Sequence, residues 1–177
     1  MGRVRVRPLE RRDMKDLVAN NLDYAKEAKD PNFYVSSPAV PLNKKEEQEY
    51  FRSLWMQVER GDAIVSVAEA KGIVRDHVVG KCEIKRTNVF EMPHVGGLSI
   101  EINKEFRGWG IGTALLEDAI ERSKEKFKII MLAVFGPNPA RKLYKRLGFE
   151  EVGVIPNGVK KDGEYMDYVF MARELRK

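Results

Sequence analysis

The chain has 177 residues, 43% hydrophobic and 33% charged, enough apolar material for one compact domain with a full core. Its 32 basic and 27 acidic side chains leave a formal net charge of +5 with no long block of one sign, which suits an anionic ligand and argues against nucleic acid, where basic clusters interleave with aromatics. No apolar run approaches the roughly 18 residues of a membrane span, and Cys82 is the only cysteine, so neither a disulfide nor a cysteine-based metal cluster is available.

The start, "MGRVRVRPLE", alternates Arg and Val and lacks the apolar stretch of a signal peptide. It predicts a strand over 3–8 and a soluble, cytoplasmic protein. Residues 11–28 predict a helix with Met14, Leu17, Val18 and Leu22 on one stripe. "DPNFYVSSPAVPLN" (30–43), rich in proline, predicts an irregular loop, and "KKEEQEYFRSLWMQVERG" predicts a second helix stopped by Gly61. Strands follow near "AIVSVAEA" and "HVVGKCEIKRT", joined by a turn around Lys71 and Gly72, then "HVGGLSIEIN". After the stretch "EFRGWGIGTALLEDAIE" the order is strand "KIIMLAVF", helix "NPARKLYKRLGF", strand "EEVGVI", turn "PNGVKKDGE" and strand "YMDYVFMAREL". With no internal repeat or linker, one α+β domain over 1–177 is the economical reading.

Gly108, Gly110 and Gly112 crowd the start of a helix. A dinucleotide loop needs GxGxxG and a later acidic residue, and a triphosphate loop needs a lysine after its last glycine; neither is here. The helix "GTALLEDAIERSKEKF" nevertheless has no carboxylate before Glu117 to satisfy its first N–H groups or the positive end of its dipole. With small residues ahead of it and Arg107 at the rim, a pyrophosphate is the natural occupant. The competing reading is a tight glycine turn made for packing.

Arg107 to Gly112 resembles the (Q/R)xxGx(G/A) signature of the GNAT superfamily of N-acetyltransferases. "ARKLYKRLGF" (140–149) resembles that family's AxxLYxxxGF landmark. The order of elements is similar from residue 3 to residue 174. The resemblance implies a mixed, mostly antiparallel sheet of about seven strands flanked by about four helices, with a splayed strand pair binding the cofactor. It implies acetyl-CoA as donor, with no metal, and a protein or small-molecule primary amine as acceptor. It also leaves a homodimer open. Arg107, Gly108, Trp109, Gly110, Ile111, Gly112 and Thr113 would hold the pyrophosphate. Ile100 and Ile102 would bind the pantetheine arm through their main chain, with Asn138 and Arg141 also near the cofactor. Trp109 either packs over the adenosine or covers the helix. Asn138 either caps the following helix, ahead of Pro139, or meets the cofactor; the family's usual asparagine position falls on Pro137.

A lysine-type amine with pKa near 10.4 is neutral at pH 7 in only about one molecule in a few thousand, so a base or a water chain must take its proton. The family's glutamate positions fall on Gly96 or Gly97 and on Leu132. Glu101 or His94 is then the base, with Glu83 and Tyr34 as further candidates. Tyr144 would be the general acid by resemblance, although its spacing with Ala140, Leu143 and Leu147 also suits a core aromatic. Cys82 need not act as a nucleophile. By resemblance, loops 30–43 and 156–164, with Phe33, Tyr34, Asp162 and Glu164, would shape the acceptor pocket. A non-catalytic acyl-CoA sensor is the alternative reading, and a basic nucleic-acid binder a third.

Overall fold

A computed structural model of the chain describes residues 4–30, 33–34, 43–72 and 76–175. Most of the proline-rich loop and part of the 71–76 turn lie outside the described residues. The elements are β1 (Val4–Pro8), α1 (Met14–Glu27), α2 (Lys44–Arg60), β2 (Ala63–Ala70), β3 (His77–Arg86), β4 (Val95–Ile102), α3 (Ile111–Ser123), β5 (Ile129–Phe135), α4 (Ala140–Arg146), β6 (Glu150–Lys161) and β7 (Glu164–Glu174). The strands form one seven-stranded sheet in the order β1-β2-β3-β4-β5-β7-β6. Among the described residues, only β4 and β5 run parallel. Among the described residues, no helix is long and apolar enough to cross a membrane.

Local chemistry sets several of these boundaries. The Asn43 side chain accepts from the Lys45 and Glu46 N–H groups while Glu46 accepts from the Asn43 N–H. This reciprocal cap starts α2, and Gly61 at φ 76° ends it as expected. The helix read as far as Phe127 stops at Ser123, whose hydroxyl donates to the Ala119 carbonyl at 2.6 Å and competes with the main-chain ladder.

The larger difference lies at "PNGVKKDGE". Pro156, Asn157 and Gly158 read as a turn, but β6 runs on through them to Lys161, with its register to β7 shifted between Ile155 and Val159. Asn157 absorbs the bulge at φ 54°. The turn itself is the Asp162-Gly163 pair, both at positive φ, which matches a tight two-residue hairpin. An edge strand has no outer neighbour to lose hydrogen bonds with, so proline is tolerated there.

Two cores flank the sheet. On one face α3 and α4 pack Leu115, Leu116, Ala119 and Tyr144 against Ile84, Ile130, Leu132 and Met171. On the other, α1 and α2 pack Leu17, Phe51 and Leu54 against Val65, Val67 and Val78. Over β5 and β7 this second face leaves Ala133 exposed and Tyr168 and Phe170 half-exposed.

Candidate active site at the splayed strand pair

β4 and β5 pair only at Val95–Ile129, Gly96–Ile130 and Gly97–Met131. Gly96 allows this closeness: a Cβ there would sit 2.5 Å from Ile84 and 3.1 Å from Phe127. Beyond Gly97 the strands part, and the main chain of Leu98–Ile102 faces a gap on its β5 side. The gap opens into a cavity of about 310 Å³ lined by both strands and by Tyr24, Tyr34, Asn138, Tyr144 and Tyr168. A larger groove of about 740 Å³ on α1 and α2, around Trp55, shares no lining residue with it.

At the end of β4 the glycine loop turns into α3. Gly108 and Gly110 take φ values of 79° and 80°, and a Cβ on either would meet nothing within 4 Å. Among the described residues, no protein acceptor is bonded to the N–H groups from Gly108 to Thr113; Ala114 is the first to bond back, to the Gly110 carbonyl at 3.1 Å. These donors and the positive helix end form an anion cradle that fits a pyrophosphate. Packing also favours glycine at 112, where a Cβ would lie 3.2 Å from Ile102 and 3.4 Å from Leu143.

The Arg107 side chain is engaged by protein partners. It pairs with Glu27 through both Nη atoms, donates from Nε to the Ile102 carbonyl at 2.8 Å, and lies 4.6 Å from the centre of the Phe33 ring. Its role in the fold is to pin the loop to the end of α1. Trp109 is 52% exposed, with its ring 6.4 Å from that of Phe106. Asn138 accepts from the Ala140 N–H at 2.8 Å, the capping role, and donates to the Tyr34 carbonyl at 2.6 Å. Arg141 bonds the Gly136 carbonyl and Glu151.

Alternation on β4 separates two functions. Ile100 and Ile102 pack toward the α3 core, while Glu101 points the other way, into the cavity and a small cleft with Tyr24 and Lys81. Burial raises the Glu101 pKa above the usual carboxylate range against the pull of Lys81, whose Nζ lies 3.3 Å from Oε1. Tyr144 lines the same cavity, its hydroxyl has no hydrogen-bond partner among the described residues, and burial raises its pKa too.

The remaining candidates are placed differently. His94 is exposed at the closed end of β4 and does not line the cavity. Glu83 is buried, bonded by Tyr50, Ser99, Lys81 and Lys85. Burial pushes Glu83 up, but the two lysines and the hydrogen bonds outweigh it and hold the carboxyl at about 2. Asp162 and Glu164 sit exposed at the hairpin and do not line the cavity, whereas Lys161 reaches the Asp30 and Phe33 carbonyls. Tyr24, Tyr168 and Lys81 were not singled out from sequence. Tyr24 sits on an amphipathic helix and Lys81 on an alternating strand, where both look like ordinary surface positions.

The sequence profile described as the acetyltransferase (GNAT) family matches residues 22–149, a span that runs through the splay, the glycine loop and α4. The chain belongs to that family. An N-alpha-acetyltransferase of Sulfurisphaera tokodaii is 33% identical over 64% of this chain and 71% of its own length. The L-amino acid N-acetyltransferase AaaT of Escherichia coli is 33% identical over 54% of this chain and 61% of its own. A GNAT phosphinothricin acetyltransferase from Sinorhizobium meliloti, solved in complex with AcCoA, superposes with a TM-score of 0.78 at 23% identity, covering 97% of this chain and 88% of that one. This last likeness establishes the shared GNAT fold.

Proposed function

We propose that this GNAT protein transfers an acetyl group from acetyl-CoA directly to the α-amine of an amino acid or peptide, with donor and acceptor bound together. The observation carrying this reading is the continuity of three parts: open N–H groups from Gly108 to Thr113, an unpaired β4 edge, and a cavity holding Glu101 and Tyr144. Donor recognition then uses the cradle for the pyrophosphate and the β4 main chain for the pantetheine arm. Both curated relatives bear names that specify an α-amine or an amino acid. The tyrosine-lined cavity with one carboxylate suits a small cationic group.

In this reading the acceptor enters past Tyr24 and Tyr34 and gives a proton to Glu101, directly or through water. Its nitrogen would then attack the thioester carbonyl, the carbon–sulfur bond would break, the departing thiolate would take the Tyr144 hydroxyl proton, and the second proton that the nitrogen sheds as the amide forms would return to the Tyr144 phenolate, directly or through water. A carboxylate with a raised pKa is better matched to this task than an ordinary one. Free N–H groups on the β4 edge stabilise the developing oxyanion. Buried Cys82, its thiol pushed up by burial, stays out of the path.

The test is release of free thiol from acetyl-CoA with a panel of α-amines and ε-amines. Turnover with α-amines is expected, and Glu101→Gln should reduce kcat by about 10²- to 10⁴-fold while acetyl-CoA binding persists. Tight acetyl-CoA binding with no thiol release for any amine would instead mark an acyl-CoA-binding module.

A further inference from the structure

The groove of about 740 Å³ along α1 and α2 is built from one face of each helix. On α2, Lys44, Gln48, Arg52, Trp55, Met56 and Glu59 follow the three- and four-residue spacing of a single stripe. Arg11, Met14, Lys15 and Val18, from the start of α1 and the turn before it, repeat that spacing on the other side. The apolar lining runs from buried Val18 and Phe51 through half-buried Met14 and Trp55 to Met56, which is 44% exposed. Charge in the groove is one-sided: four cations, Arg11, Lys15, Lys44 and Arg52, share it with one carboxylate, Glu59. None of the four has an ion pair among the described residues. The residues outside those described include no Asp or Glu, so they bring no side-chain carboxylate to it. Arg12, next in sequence to Arg11, is by contrast paired with Glu10 and Glu69.

Fold stability does not account for this placement. Lys15 lies in the first turn of α1 and Lys44 opens α2, both at the positive end of a helix dipole, where a cation is disfavoured. We propose that the groove docks an acidic amphipathic helix of a partner protein. The wall from Lys44 to Glu59 spans roughly 22 Å at 1.5 Å per residue, which matches a helix of about 15 residues. The apolar stripe of that helix packs on Met14, Trp55 and Met56, and the carboxylates flanking the stripe meet the four cations. A phosphate backbone would match the cations but leave Met14 and Met56 without an apolar partner. A bilayer surface would not enter a concave groove between two helices.

Fluorescence anisotropy of labelled synthetic peptides with the full chain tests the docking. The probe is a peptide of about 15 residues with leucines three and four apart on one helical face and glutamates beside them. Its control has the same composition with the leucines scattered around the helix. The patterned peptide should bind about tenfold or more tighter than the control, and high salt should weaken it. Lys15→Glu combined with Arg52→Glu should cost the patterned peptide about tenfold or more in affinity, and Met56→Glu should do the same. All three positions are exposed, so the fold does not depend on them, and an unchanged acetyl-CoA affinity checks that each variant is intact. Failure of the patterned peptide to bind, equal binding of the two peptides, or a charge-reversed groove as tight as the wild type would overturn the proposal. A short DNA duplex or phosphatidylglycerol vesicles that bind through the same cations while the peptide does not would overturn it too, assigning the groove to nucleic acid or to a membrane surface.

Discussion

Tyr144 satisfies two demands with one side chain. Its spacing on α4 suits the core, and the structure puts it there, 7% exposed and edge-on to Phe149 at 5.9 Å between ring centres. The residue nevertheless also lines the cavity that the splay opens. Because burial raises its pKa, the phenol stays protonated through the neutral range and is ready to donate to a thiolate. Tyr144→Phe keeps the packing and removes only the donor. It should lower kcat by about tenfold or more while the acetyl-CoA Kd stays nearly unchanged; titration calorimetry beside steady-state rates separates the two. Unchanged turnover would return Tyr144 to a purely structural role. The proposed base, Glu101, is a residue of a different kind, because it would work through its environment. Lys81 limits how far burial can raise its pKa, and Lys81 is itself neutralised jointly by Glu83 and Glu101.

At the level of elements, the loop entering α3 was the most legible part of the chain. Glycines at positions 108 and 110 and a helix start without acid specify open donors and positive φ, and those are local properties that a sequence carries directly. Gly110→Glu tests the assignment: the φ of 80° disfavours a side chain, and the new carboxylate would stand at the anion cradle. Acetyl-CoA affinity should fall by about 100-fold or more while the far-ultraviolet circular dichroism is retained, since space beyond the Cα is open. Retained affinity would separate the loop from the pyrophosphate. The PNG segment was less legible because its turn chemistry is genuine but is absorbed as a bulge on an edge strand. The roles of Lys81, Glu83 and Lys85 were illegible for a longer-range reason. Their alternation on β3 describes a polar face, and only the packing of α2 over that face turns it into a buried network. Arg107 was read as a cation at the rim, but its partner Glu27 lies 80 residues earlier, beyond the reach of any local pattern.

Across the whole molecule, that buried network joins α2, β3 and β4 through one carboxylate. Glu83 accepts from the Tyr50 hydroxyl at 2.8 Å and the Ser99 hydroxyl at 3.0 Å, and it lies 3.1 Å from Lys81 and 3.0 Å from Lys85. Its folded pKa of about 2 lies below the ordinary 4.5, so its contribution to stability is complete above about 4.5 and drains as the pH falls toward about 2. Glu83→Gln leaves Lys81 with Glu101 as its remaining carboxylate and Lys85 with none among the described residues, and removing one partner from a buried ion pair of this kind costs roughly 3–5 kcal/mol. For a chain of this length that corresponds to a Tm lower by about 6–20 °C at neutral pH. The same variant should show a shallower loss of stability between pH 4.5 and 2, because one linked carboxylate is gone. Glu69, held near 2 chiefly by its bond from Arg7, preserves part of that acid slope. Thermal melts of both proteins across this pH range measure both effects. A variant with the wild-type acid slope would mean that Glu83 is not the carboxylate whose charge ties α2 to β3 and β4.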